Sequence, residues 1–68
     1  MENLEFQTEM IALKDLLKVT RILPSGGIAK RVIKDEGVLV NDKPCFLPGK
    51  KLYKGDWVIF DDYKITIV

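Results

Sequence analysis

PSGGIAKRVIKDEGVLVN, residues 24–41, holds a helix start, a helix stop and the opening of a strand in one run. Ser25 offers a hydroxyl to the free N–H groups of a following turn, and Gly37 is the residue type preferred just past a helix end. Between them, at 100° per residue, Ile28, Ala29, Val32 and Ile33 share one side. Lys30, Arg31 and Lys34 fall within a roughly 100° arc of the other. The spacing therefore predicts an amphipathic helix. Gly27 projects into the middle of the basic arc, where a missing side chain leaves backbone accessible without weakening the packed face. A glycine pair beside a helix start is either turn chemistry or a place where an anion approaches bare N–H groups.

On the N-terminal side, LKDLLKV (13–19) sets Leu13, Leu16 and Leu17 on one helical face and Lys14 and Lys18 on another, which predicts a first, shorter helix. After Gly37 the pattern changes to that of strands: VLV, a turn at Asn41-Asp42-Lys43, a segment interrupted by Pro44, a Pro48-Gly49 turn, KKLYKGD, WVIF, a turn at Asp61-Asp62, and YKITIV. Residues 3–8 are a candidate edge strand. The fold expected is α+β, two short helices packed on a small, strongly bent antiparallel sheet. Its core is expected to draw on Leu13, Leu16, Leu17, Ile28, Ala29, Val32, Ile33, Val38, Val40, Leu52, Val58 and Phe60.

Sixty-eight residues give room for one domain, 1–68, which buries only about 60% of its unfolded surface and is correspondingly marginal in stability. The hydrophobic fraction of 47% and charged fraction of 31% exclude a disordered chain. No apolar run approaches the ~20 residues of a membrane span, and MENLEFQTEM is acidic where a signal peptide is basic and then apolar, so a cytoplasmic protein is expected. Cys45, the sole cysteine, excludes an intramolecular disulfide and suits a reduced compartment, where it packs. The net charge of +1 conceals a division along the chain. Residues 14–54 hold ten of the eleven cations against four carboxylates, a local charge of +6 between acidic ends. A polyanion responds to that local charge, not to the total.

A short Leu-rich helix, a loop, Ser25-Gly26-Gly27-x-Ala29-Lys30 opening a basic helix, Glu36-Gly37-x-x-Val40-Asn41, then Gly49-x-Lys51-Leu52-x-x-Gly55-Asp56 follow one another in this order. The combination, from about Leu13 to Val58, resembles the S4 RNA-binding domain, and within it the short stand-alone bacterial members of the YaaA type. The resemblance implies two helices on a bent sheet, an RNA partner, and an RNA face on the second helix with the adjoining hairpin and turn. Carried over residue by residue, that face comprises Ser25, Gly26, Gly27, Lys30, Arg31, Lys34 and Asn41, with Lys50 and Lys51 at basic positions of the later loop. Lys14, Lys18 and Arg21 join it as cations close by in sequence on the preceding helix and loop. Three positions depart from the family pattern. Ile28 stands where Glu is usual, which removes the reciprocal capping box with Ser25. Asp42 replaces a Gly, and Leu47-Pro48 replaces two arginines, which removes cations from the hairpin.

Each feature also has a plainer explanation. The cluster of Lys30, Arg31 and Lys34 could be the solvated side of a helix, but its arc includes Gly27 and adjoins a helix N-terminus that attracts anions. Ser25-Gly26-Gly27 lacks the GxxxxGK(S/T) context that wraps a triphosphate, so one backbone phosphate is the better guest. Trp57, Tyr53, Phe46, Phe60 and Tyr63 lie at strand spacing without a stacking repeat, which favours packing. No His and no Ser-base constellation is present, and the paired acids sit at turns and helix ends, so no enzyme, cofactor, metal or small-molecule substrate is expected. The expected role is a monomeric, non-catalytic adaptor or assembly or quality-control factor. It would bind structured RNA (rRNA, tRNA or a ribosomal complex), chiefly through phosphate. Two alternatives are a module docking an acidic protein surface and a helix-turn-helix on duplex DNA. Against the latter, the Val19–Ser25 connection is long and the second helix has no Asn or Gln to read adenine.

Overall fold

Leu13, Leu16 and Leu17 are all fully buried, and this stripe anchors the first helix in the computed structural model, which describes residues 1–68. The chain runs β1 (Glu2–Phe6), β2 (Met10–Ala12), α1 (Leu13–Val19), α2 (Gly26–Glu36), β3 (Val38–Val40), β4 (Lys43–Cys45), β5 (Lys51–Tyr53), β6 (Trp57–Phe60) and β7 (Tyr63–Ile67). Ala12 has no side chain with which to cap α1. Instead the Leu13 and Lys14 N–H groups donate to the Lys50 and Pro48 carbonyls at 2.9 and 3.0 Å, so the β4–β5 loop caps the helix. Ser25 does cap α2, its Oγ accepting from the Ile28 N–H at 3.2 Å, and Gly37 closes the other end at φ 76°. Gly37 has a second reason to lack a side chain: a Cβ there would fall 2.7 Å from the Phe46 ring.

The helices lie against one face of a five-stranded sheet in the order β1-β7-β6-β3-β4, and β2 with β5 forms a separate antiparallel pair. The sheet is mixed, not wholly antiparallel as the sequence suggests. The expected N-terminal edge strand is present, but β1 pairs in parallel with β7, Leu4 beside Ile65 and Phe6 beside Ile67. Antiparallel pairing is enforced only by a hairpin, and β1 and β7 are joined by nearly the whole chain, so either direction was open. No helix is long and apolar enough to cross a membrane.

The core holds Leu13, Leu16, Leu17, Ala29, Ile33, Val38, Val40, Leu52 and Val58 as expected, together with Ile65 and Ile67, which the expected set lacks. Val32 and Phe60 are half-buried, and Ile28 is 44% exposed. On the helical wheel the fully buried Ala29 and Ile33 centre the stripe, and Ile28 lies about 120° from that centre.

Candidate nucleic-acid interface

Lys30, Arg31 and Lys34 are exposed on α2, and none is in an ion pair; the one salt bridge in the structure joins Lys14 to its neighbour Asp15 at 3.8 Å. Gly27 is exposed between them, with no heavy atom within 4 Å of where a Cβ would sit. The fold does not need a glycine there. Gly26 differs, since its Cβ would meet the Lys18 Cδ at 3.8 Å, so the aliphatic stem of Lys18 passes beside the start of α2.

From that contact the basic surface extends back along α1. Lys18 and Lys14 are four residues apart, about 6 Å along the axis. At Lys14 the helix meets the loop that caps it, whose Lys50 carbonyl holds the Leu13 N–H, while Lys51 pairs with Ala12 across β2 and β5. Backbone hydrogen bonds thus bring Lys50 and Lys51 to the N-terminal end of α1 and the Gly26 contact brings its C-terminal end to α2. Backbone positions far apart in sequence thus meet at the two ends of α1.

Arg21 follows the end of α1 with φ 63°, its N–H donating to the Lys18 carbonyl at 2.9 Å. A left-handed residue after a helix end is usually glycine, and a side chain there costs about 1–2 kcal/mol. Arg21→Gly is therefore expected to hold or raise the melting temperature by a few degrees while weakening RNA binding. A thermal melt and a binding isotherm on the same sample check both halves. Lower stability with unchanged binding would show that the arginine serves the fold.

Asn41 is exposed, but its side chain is engaged. Its Nδ2 donates to Asp56 Oδ1 at 3.0 Å, and its Oδ1 accepts from the Trp57 N–H at 3.0 Å. Asp56 Oδ2 in turn accepts from the Tyr53 N–H at 2.8 Å. That backbone bond, and then the Asn41 amide, hold the Asp56 carboxyl below its ordinary value. Asn41 and Asp42, at φ 51° and 70°, form the two-residue β3–β4 turn, and Asn41 ties it to the turn before β6. One amide proton and one oxygen lone pair of Asn41 remain for a ligand. Asn41 and Lys50 line one cleft together with Lys43, a cation the sequence assignment left out. Its signal was available, since a two-residue turn sets Lys43 directly across from Val40.

Trp57 is half-buried, with the Lys64 ammonium 4.8 Å from its ring centroid, so one face of the ring is taken. The structure groups no three His, Cys, Asp or Glu side chains in an arrangement that could hold a metal ion.

The family model described as S4 domain matches residues 4–68, almost the whole chain. The chain belongs to the S4 domain family. Among curated proteins it is similar to the probable ribosome maturation protein RlbA of Bacillus subtilis (strain 168), at 42% identity over 60 residues, covering 88% of this chain and 84% of the relative. The match reaches further than the Leu13–Val58 likeness, taking in β1 and β7. Of those strands, β7 supplies Ile65 and Ile67 to the core of this S4 domain, and Leu4 and Phe6 of β1 pack against it.

Proposed function

We propose that this S4 domain binds structured RNA, rRNA or tRNA or a ribosomal complex, in the cytoplasm. It acts there as a monomeric, non-catalytic adaptor or assembly or quality-control factor. The observation that carries the proposal is the arc of Lys30, Arg31 and Lys34 around the open backbone of Gly27, three cations without a carboxylate partner. Unpaired cations on the helix face that carries the open backbone of the first turn suit a phosphate backbone. Lys14, Lys18, Arg21, Ser25, Gly26, Asn41, Lys50 and Lys51 complete the surface, and Lys43 joins it at the cleft. The similarity to a probable ribosome maturation protein supports a role on or near the ribosome.

The test is a salt titration of binding to a folded rRNA fragment, with duplex DNA and an acidic protein as competitors. With about four to six neutralised phosphates at a coefficient near 0.7 each, log K against log salt should slope at roughly −3 to −4. Equal competition by duplex DNA would favour a helix-turn-helix, and displacement by the acidic protein alone would favour a protein-docking module.

Gly27 gives a sharper local test. Gly27→Ala has free space and a better helix former, so stability should hold or rise by up to about 1 kcal/mol. Gly27→Leu also has space to fold but covers the backbone, and RNA affinity should fall. A folded Gly27→Leu variant with parental affinity would remove the α2 backbone from the interface.

A further inference from the structure

The face of the five-stranded sheet turned away from the helices carries a feature that phosphate binding does not use. Leu39 pairs with Pro44 on one side and Ile59 on the other, so Pro44, Leu39 and Ile59 form an apolar row across β4, β3 and β6. A solvated sheet face ordinarily alternates to polar residues at these positions. The row floors a groove walled by Phe46, whose ring is 51% exposed against Gly37, with Glu36 at the end of α2 and Asp61 in the β6–β7 turn at its rim.

No cation lines this groove. Lys64 stands next to Ile59 in the same row, but its ammonium is held over the Trp57 ring. Lys34, close to Glu36 in sequence, points about 160° away around α2. The C-terminal end of α2 adds its partial negative charge to the two carboxylates. Glu36 is separated from Ser25 by the full length of the helix, about 16 Å, and from Lys34 by most of half a turn around it, so the acidic groove and the basic arc are on different sides of one rigid element.

We propose that this groove docks a basic segment of a partner protein, an apolar or aromatic side chain seated on Leu39, Ile59 and Phe46 and flanking Lys or Arg side chains paired with Glu36 and Asp61. Charge decides the class of occupant. An RNA backbone meets two carboxylates and a helix C-terminus here, and a second copy of this chain in an isologous dimer, the commonest closed arrangement, would bring the same acidic rim against itself. The inference does not depend on the RNA assignment, because no residue of the basic arc takes part.

The probe is a short synthetic peptide in which Arg residues flank Phe and Leu, titrated into the isotopically labelled protein and followed by backbone amide shifts, with a Glu-for-Arg peptide as control. Saturable shifts at Gly37, Leu39, Ile59 and Asp61, absent with the control, are expected. Glu36→Gln/Asp61→Asn should weaken the peptide about tenfold. Ile59→Thr, which keeps a β-branched residue at an outward position, should abolish docking, and both variants should retain the parental RNA affinity and salt slope. The proposal is overturned by any of four results: shifts confined to α2 and the β4–β5 loop, equal binding of the Glu-for-Arg peptide, dimerisation through these residues without peptide, or an RNA fragment that shifts the same amides.

Discussion

Lys30→Glu/Lys34→Glu should melt close to the parent protein and lose RNA binding. Both side chains are exposed and neither is in an ion pair, so their removal breaks no native contact. The new glutamates face each other at the same spacing as the lysines they replace, which keeps the mutual repulsion at a few tenths of a kcal/mol. Glu at position 34 lies in the last turn of α2, where a negative charge costs about 0.3–1 kcal/mol. The whole change should stay near 1 kcal/mol. Binding should change far more. Two charge-assisted phosphate contacts, at roughly 1.5–3 kcal/mol each, become repulsions, so affinity should fall by at least about a hundredfold. Lys30→Ala should make the salt slope shallower by about 0.7. Lys64→Ala is the control: it gives up a cation–π contact of about 0.5–1 kcal/mol in stability and should leave RNA affinity and slope unchanged. Circular dichroism and fluorescence anisotropy across a salt series measure stability, affinity and slope. A double reversal that folds and binds with parental affinity would reduce the α2 arc to a solvated helix face.

α2 was legible because its signals are local. Ser25, Gly37 and the residues between them fix its ends to within a residue, and the basic arc follows from the helical period. The parallel pairing of β1 with β7 carries no local signal, since a strand's own alternation does not say which direction its neighbour runs. The β2–β5 pair was hidden for another reason: Met10-Ile11-Ala12 is too short to show a period and runs straight into α1. The candidate site divides similarly. The cations of α2 can be counted on a wheel, whereas the meeting of Lys18 with Gly26, and of Lys50 and Lys51 with the start of α1, depends on the α1–α2 crossing and on a loop that caps a helix. Asn41 shows the limit most clearly. An exposed polar residue on a turn has the sequence appearance of a contact residue, and only the fold reveals that Asp56, fifteen residues on, holds its amide.

The second large effect is on stability, and it tests the wheel of α2 with one residue type at two positions. Ile33→Ala should destabilise by about 2–5 kcal/mol, while Ile28→Ala should cost less than about 1. Both substitutions delete the same atoms from the same helix, so propensity changes are nearly equal and cancel in the comparison. What differs is burial. Ile33 is fully enclosed in the cluster that includes Leu13, Leu17, Val38 and Ile65, so truncation opens a cavity that neighbouring side chains can only partly fill. Ile28 is in the first turn with nearly half its surface in water, and its removal opens none. A chain of this size has a total stability near the low end of about 5–15 kcal/mol, so Ile33→Ala should lower the melting temperature by at least about 10 °C and leave a measurable unfolded fraction at ambient temperature. The Ile28 variant should stay within a few degrees of the parent. Equal shifts at the two positions would mean that α2 is rotated from its assigned orientation, moving Lys30, Arg31 and Lys34 away from the solvent arc on which they surround Gly27. The two melts therefore check, without any RNA, the helix orientation on which that arc depends.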